Sequence, residues 1–235
     1  MEREINFFED FISEFDKNNK MIIHKYNHTY RVVEYAKEIA KSLDLSNKEY
    51  IRASVCALFH DLGRFPQARD YNTFIDAMSF DHGDKGYEIL KENNYNDEIV
   101  LKAVKYHNKK ELPNFDELTN MHLKIVRDAD KIDIMTMFGN KECDNNSIIS
   151  EEIMNCFKNH KLLDNSMGDT ELIYSLRNLA FIFDINYKKT METIIEKELI
   201  PFKLNIIRSN VNKEQVDIIE KEIKKYIKER FDLIC

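Results

Sequence analysis

Apolar residues recur in this chain at intervals of three and four, and runs alternating apolar with polar at a period of two are hard to find. A 3.6-residue period gathers such positions on one helix face, whereas a half-buried strand needs a period of two. Phe7, Phe8, Phe11, Ile12 and Phe15 make the first stripe and predict a helix near residues 3–17. A second helix is expected from about Lys25 to Leu43, with Val32, Tyr35, Ala36, Ile39, Ala40 and Leu43 inward. Ser46, followed three residues later by Glu49, reads as the N-cap of a third helix that turns Ile51, Ser54, Val55 and Leu58 inward. That helix is expected to end at His60-Asp61, just before Gly63 and Pro66. The stretch from Arg64 to Asp81 has no clear period, reads as a loop, and is long enough to be functional. Further helices are expected from His82, over about Asp97–Tyr106, and over about Phe115–Met137. The remainder predicts helices around 149–159, 170–183, 187–198 and 213–231, with Pro201 separating the last two. Five glycines and 3 prolines in 235 residues leave too little turn material for a many-stranded β fold. The chain is expected to be all-α.

A chain of this length is one domain, or one domain with a helical extension. The boundaries read as 1–140, with a core of about 20–140, and an extension over 141–235 packed on the same domain. A hydrophobic fraction of 43% suffices for a core without disulfide or structural-metal support. The net charge of −7 argues against a nucleic-acid partner, although it leaves room for a local basic rim. Cys56, Cys143, Cys156 and Cys235 are widely spaced and read as free thiols in a reducing compartment. The start, MEREINFFEDF, is acidic and amphipathic, unlike a signal peptide. No run approaches the roughly 18 apolar residues that span a bilayer. A cytoplasmic protein with no membrane partner is expected.

Chemistry enters with His28, His60-Asp61, His82, His107 and Asp130. An HD dipeptide alone carries little information. All six residues, however, fall at the start, end or inward face of a predicted helix. His28 lies four residues before Val32, and Asp130 stands between Val126 and Ile134 at intervals of four. A carboxylate on an apolar face needs a partner, because burying it unpaired costs several kcal/mol. Imidazole and carboxylate suit borderline and hard divalent ions, namely Mn, Fe, Co, Ni or Zn. A set without cysteine disfavours a structural zinc finger or an iron–sulfur site.

In this H…HD…H…H…D order, over roughly residues 20–140, the chain resembles the HD-domain superfamily of metal-dependent phosphohydrolases. The phrases that carry the resemblance are HTYRVVEYAKEIA, LFHDLGRF, DHGDKGYEIL, VKYHNKK and VRDADKID. It is similar above all to stand-alone bacterial members with HDLGRF and TF-x-D…DH phrases. The resemblance implies an HD-domain helical bundle in which His28, His60, Asp61 and Asp130 hold a first metal ion. His82 and His107 match the histidines that members with two metals add, with Asp61 bridging. Two divalent ions are therefore expected. The resemblance further implies hydrolysis, by metal-activated water, of a phosphoester on a nucleotide or another small phosphorylated metabolite. It leaves monoester and diester unseparated. A di-iron oxygenase of the same fold is the alternative enzyme, and a non-catalytic metal-binding regulatory protein is the alternative outside catalysis. HNKKELPNF, from His107 on, departs from the HHE…GYP phrase of the cyclic-dinucleotide esterases, and the residues beyond 145 do not resemble the synthetase domain of the alarmone enzymes.

Around this set, Asp61 and Arg64 are the expected catalytic residues, and Arg64 and Lys109 the expected substrate contacts. Arg64 either grips a phosphate by two hydrogen bonds or lies on the surface beside a turn. Lys109 and Lys110 either line the rim or form a solvated charge run. Asp81 is a candidate acid or outer partner of a ligand, and His24 a candidate for the site mouth. His122 and His160 lie in more polar stretches and are not expected to be ligands. The Phe65–Phe80 stretch, with Arg69, Tyr71 and Phe74, is the candidate for substrate selection. A homodimer is left open, with Phe181, Phe183 and Tyr187 packing against the core or a second subunit.

Overall fold

The computed structural model describes residues 1–137, 148–168, 170–209 and 211–235, and forms helices with no β-strand among them. Two compact units divide it, Met1–Asp130 and Lys131–Cys235. The boundary expected near residue 140, and Cys143, lie outside the described residues. The other three cysteines are free thiols. Among the described residues no helix is long and apolar enough to cross a membrane.

The first unit holds α1 (Glu2–Ser13), α2 (Lys20–Ser42), α3 (Asn47–Phe59), α4 (Arg64–Tyr71), α5 (His82–Glu92), α6 (Glu98–Tyr106) and α7 (Glu117–Thr136) as far as Asp130. Side chains fix most of the starts. Asn19 accepts from the Met21 amide (2.8 Å), Ser46 from Glu49, Asp81 from Asp84 and Asp97 from Ile99 and Val100, each satisfying a donor that the first turn leaves free. The Asn19 cap starts α2 five residues before the expected Lys25, and α1 stops at Ser13, where the intervening residues turn. Helix α3 is the axis of the unit. Ala53 to Phe59 are all buried, so its second half is enclosed on every side, and it packs against α2, α6 and α1. Phe8 and Phe15 close one side against Phe65, with ring centroids 5.9 and 5.8 Å away.

Two expectations are corrected here, for one physical reason. Arg64 to Tyr71 is a helix rather than the start of a loop, and Leu199–Arg208 is a helix where Pro201 was read as a break. Each proline is the third residue of its helix, where a backbone N–H has no partner within the helix in any case. Phe65, Pro66, Gln67 and Ala68 are buried in the first, and Leu199, Ile200, Lys203, Leu204 and Ile207 in the second. Only Asn72–Asp81 remains non-helical apart from a 3₁₀ turn at Asp76–Met78.

The second unit contains the last turn of α7, then α8 (Glu151–Lys158), α9 (Glu171–Ala180), α10 (Lys188–Glu196), α11 (Leu199–Arg208) and α12 (Lys213–Phe231). Phe183 packs edge-on to Phe157 (5.7 Å) and Tyr226 (5.1 Å). Lys203 is fully buried in this unit, near the rings of Tyr174 and Phe202, and donates to the Met137 carbonyl at 2.5 Å. Burial lowers its pKa to about 8, against about 10.4 in an unfolded chain. Between those values the folded chain has released a proton that the unfolded chain keeps, so this residue's contribution to stability rises with pH. Denaturant titrations should show that rise between pH 8 and 10, on the order of 3 kcal/mol, and its loss in Lys203→Met. Equal slopes in the two proteins would mean that Lys203 titrates normally.

Candidate metal centre

Five helices deliver the six candidate ligands to one place. His28 faces inward from α2 and is fully buried. His60 and Asp61 follow the last turn of α3, where Leu62 N bonds Phe59 O and Arg64 N bonds Asp61 O, so a tight turn leads directly into α4. His82 is the first residue of α5, His107 follows α6, and Asp130 lies on α7. Two glycines permit the approach. A Cβ on Gly63 would lie 2.2 Å from the His82 carbonyl oxygen, and one on Gly83 would lie 2.7 Å from that of Lys105. The helices carrying His60-Asp61, His82 and His107 therefore meet backbone to backbone.

The donor atoms form two groups that share a carboxylate. His28, His60 and Asp130 make one, and Asp61, His82 and His107 the other, with ligand atoms inside each group within 4.8 Å of one another. In the first, His28 Nε2 lies 3.3 Å from His60 Nε2 and 3.2 Å from Asp130 Oδ1. In the second, His82 Nε2 lies 3.1 Å from His107 Nε2. Asp61 turns Oδ2 to the first pair, 3.4 Å from His28 and 3.5 Å from His60, and Oδ1 to the second, 3.6 Å from His82 and 3.7 Å from His107. Ligands about 2.1 Å from a shared first-row ion stand roughly 3.0–3.4 Å apart in octahedral or tetrahedral arrangements. The observed separations are of that size.

Tautomers make the case sharper. His60 Nδ1 donates to Ala57 O (2.7 Å), His107 Nδ1 to Val104 O (2.8 Å) and His82 Nδ1 to Asp76 Oδ2 (2.7 Å). A neutral imidazole that donates from Nδ1 has only a lone pair at Nε2. The second pair thus aims two lone pairs at each other across 3.1 Å beside a carboxylate oxygen. Such an arrangement is repulsive until a cation is shared between them. Burial lowers the His82 pKa to about 4, which keeps that ring neutral and able to ligate. Burial would raise the Asp61 carboxyl, but the Lys25 ammonium and the His60 ring hold it well below the usual range. Asp130, 21% exposed, is held low against burial by His28 and His60. With both carboxylates ionised and the His82 ring neutral, the donor set converges and fits divalent cations.

The remaining candidates sort differently. Arg64 spends one guanidinium nitrogen on Gln67 Oε1 (2.7 Å), Phe74 O (2.5 Å) and Asp76 Oδ1 (2.8 Å), while its Nε lies 3.6 Å from Asp61 Oδ1. Lys109 bridges Asp81 (2.5 Å) and Asp84 (3.0 Å). Asp81 caps α5 and accepts from Asn108, so it braces the helix that starts with His82. His24 is exposed, with its ring 6.4 Å from that of Phe74. His122 is buried rather than set in a polar surface, and pairs with Glu49 at 2.7 Å. His160 lies 3.5 Å from Glu222. Three residues at the site escaped the sequence reading. Lys25 donates to Asp61 Oδ2 at 2.6 Å, Asp76 holds His82, and Asn108 links Asp76 to Asp81. Lys25 carried a usable signal, since it precedes His28 by three residues and shares its helix face. Asp76 carried none, because it acts from a segment without periodicity.

No curated protein matches the chain. The family model of the HD domain matches residues 26–135, a span that contains all six converging residues. By that match and by the two His/Asp groups it encloses, residues 26–135 are an HD domain, of a superfamily that is in general one of metal-dependent phosphohydrolases.

Proposed function

We propose that the protein is a binuclear, metal-dependent phosphohydrolase acting on a phosphoester of a nucleotide or another small phosphorylated metabolite. The observation that carries this reading is Asp61, whose two oxygens face separate histidine pairs at 3.4–3.7 Å. His28, His60 and Asp130 would hold one ion and His82 and His107 the other, with Asp61 between them. Divalent ions bound there would lower the pKa of coordinated water toward neutrality and screen the charge of a phosphoryl group.

The chain's own groups supply the rest. Of the two cations beside Asp61, Arg64 commits one guanidinium nitrogen to Gln67 and to the segment after α4, and Lys25 uses one of its three N–H donors on Asp61. Both keep N–H donors that a phosphoryl oxygen could take, and Arg64 also ties the segment after α4 in place. Phe74 lies 5.3 Å from the Lys25 ammonium and 5.9 Å from the Arg64 guanidinium, so an aromatic ring stands beside both cations. That ring suits a substrate with a planar or apolar part next to its phosphate.

Hydrolysis of mono- and bis-nitrophenyl phosphate with added Mn²⁺ tests the activity, and the preferred ester narrows the substrate. Oxygen consumption by an iron-loaded protein that leaves both esters intact would move the assignment to the oxygenase. Lys25→Met should raise KM about tenfold while bound Mn²⁺ is unchanged, the loss of one charge-assisted hydrogen bond of about 1.5 kcal/mol. An unaltered KM would reduce Lys25 to a counter-ion of Asp61.

A further inference from the structure

Asp76 lies outside both ligand groups, yet four side chains converge on it. His82 Nδ1 donates to its Oδ2 at 2.7 Å, Arg64 and Gln67 donate to Oδ1 at 2.8 and 3.0 Å, and Asn108 reaches Oδ2 at 3.4 Å. The first contact fixes the tautomer and ring plane of His82. Arg64 and Gln67 anchor the 72–81 segment on α4, where Gln67 also donates to Ser79 Oγ (2.7 Å) and Phe80 O (3.1 Å), and Asn108 ties it to the residues after α6. Arg64 adds its bond to Phe74 O.

Around Asp76 apolar burial contributes little: Ile75 and Met78 are 54% and 66% exposed, while Phe74 and Phe80, farther along the segment on either side, are half-buried. Gln67, by contrast, is fully buried and turns its amide nitrogen to three acceptors of the segment, Asp76 Oδ1, Ser79 Oγ and Phe80 O. The segment therefore rests on a few polar contacts worth about 1 kcal/mol each, and one of them is the support of a candidate ligand. Such outer partners set ligand orientation and basicity.

We propose that Asp76 is a positioning residue that makes ion binding at the His82–His107 side depend on the seating of the 72–81 segment, leaving the His28–His60–Asp130 side independent of it. The inference rests on the binuclear reading above. By linkage, a molecule that settles on Phe74, Ile75 and Met78 and seats the segment tightens the second ion, and the second ion tightens its hold in return by the same factor. The segment thereby couples recognition of the non-phosphate part of a substrate to completion of the metal centre.

Equilibrium binding of Mn²⁺ alone to the full chain tests this, without any turnover measurement. Wild type should bind two ions in separable classes. Asp76→Ala should weaken one class about 10- to 100-fold and leave the other unchanged, which also serves as the control for folding. Asp76→Asn keeps an acceptor for His82 Nδ1–H and should recover part of the loss. The decisive variant is Gln67→Leu: Gln67 hydrogen-bonds Arg64, Asp76, Ser79 and Phe80 and not the proposed ligands, yet its loss should weaken the same class by unseating the segment. Two ions bound with wild-type affinity by Asp76→Ala or by Gln67→Leu would overturn the proposal, as would an equal loss in both classes. A wild-type protein that binds one Mn²⁺ or none is a different failure, since it removes the binuclear reading itself.

Discussion

Asp61→Ala should abolish Mn²⁺ binding on both sides of the centre and reduce phosphoester turnover to background. The reason is that both histidine pairs share this one carboxylate, at 3.4 and 3.5 Å through Oδ2 and 3.6 and 3.7 Å through Oδ1. Removing it takes a ligand from each side and leaves four imidazoles with a single remaining carboxylate, Asp130. The loss should exceed the roughly 100-fold that removal of one outer partner costs. It also leaves the Lys25 ammonium, 12% exposed, without its 2.6 Å acceptor, so apo stability should fall as well. Thermal unfolding with and without Mn²⁺ separates the two effects. Wild type should gain about 2.7 kcal/mol for each ion present at a hundredfold excess over its Kd, whereas the variant should gain nothing at the same concentration. A variant that keeps its Mn²⁺-dependent shift would show that Asp61 is not shared between ions.

What could be read in the sequence follows from what periodicity encodes. His28 and Asp130 stood out because four-residue steps tied them to Val32 and Val126, and both elements formed around those stripes. His60, His82 and His107 stood out at helix ends, where caps and glycines are legible. The Ser46 cap formed as expected, with its side chain accepting from Glu49 N. Failures occurred where a local rule was applied without its position. Pro66 and Pro201 were read as breaks, although in a first turn a proline forfeits no helical hydrogen bond. His122 shares the face of Val126 and Asp130 at the same interval, and its burial against Glu49 could have been read from that spacing. Asp76 is beyond such reading, because its role is created by a tertiary contact with His82 across a segment that has no repeat.

Gly63→Ala should be the most disruptive change outside the ligands, and its effect should be selective. The backbone at Gly63 has φ −65° and ψ −19°, a conformation that alanine adopts freely, so no backbone strain is involved. The cost comes from contact alone. An added Cβ would stand 2.2 Å from the His82 carbonyl oxygen and 2.9 Å from its carbon, both backbone atoms at the start of α5. Restoring ordinary contact requires α4 and α5 to separate by about 1 Å, since attraction is optimal near 3.5–4.0 Å and steeply repulsive well inside it. Overpacking of this kind costs about 1–3 kcal/mol. Metal sites tolerate about 0.2 Å in ligand distance, so the same shift should withdraw His82 from Asp61 and His107. His28, His60 and Asp130 come from other helices and should still bind one ion. The expected result is a lower unfolding midpoint together with one Mn²⁺ in place of two. Gly86→Ala provides the contrast, because its Cβ would meet a Val104 methyl at 3.0 Å, a side-chain end that can rotate away. If both alanines behaved alike, or if Gly63→Ala kept two ions, backbone approach at Gly63 would not be what places His82.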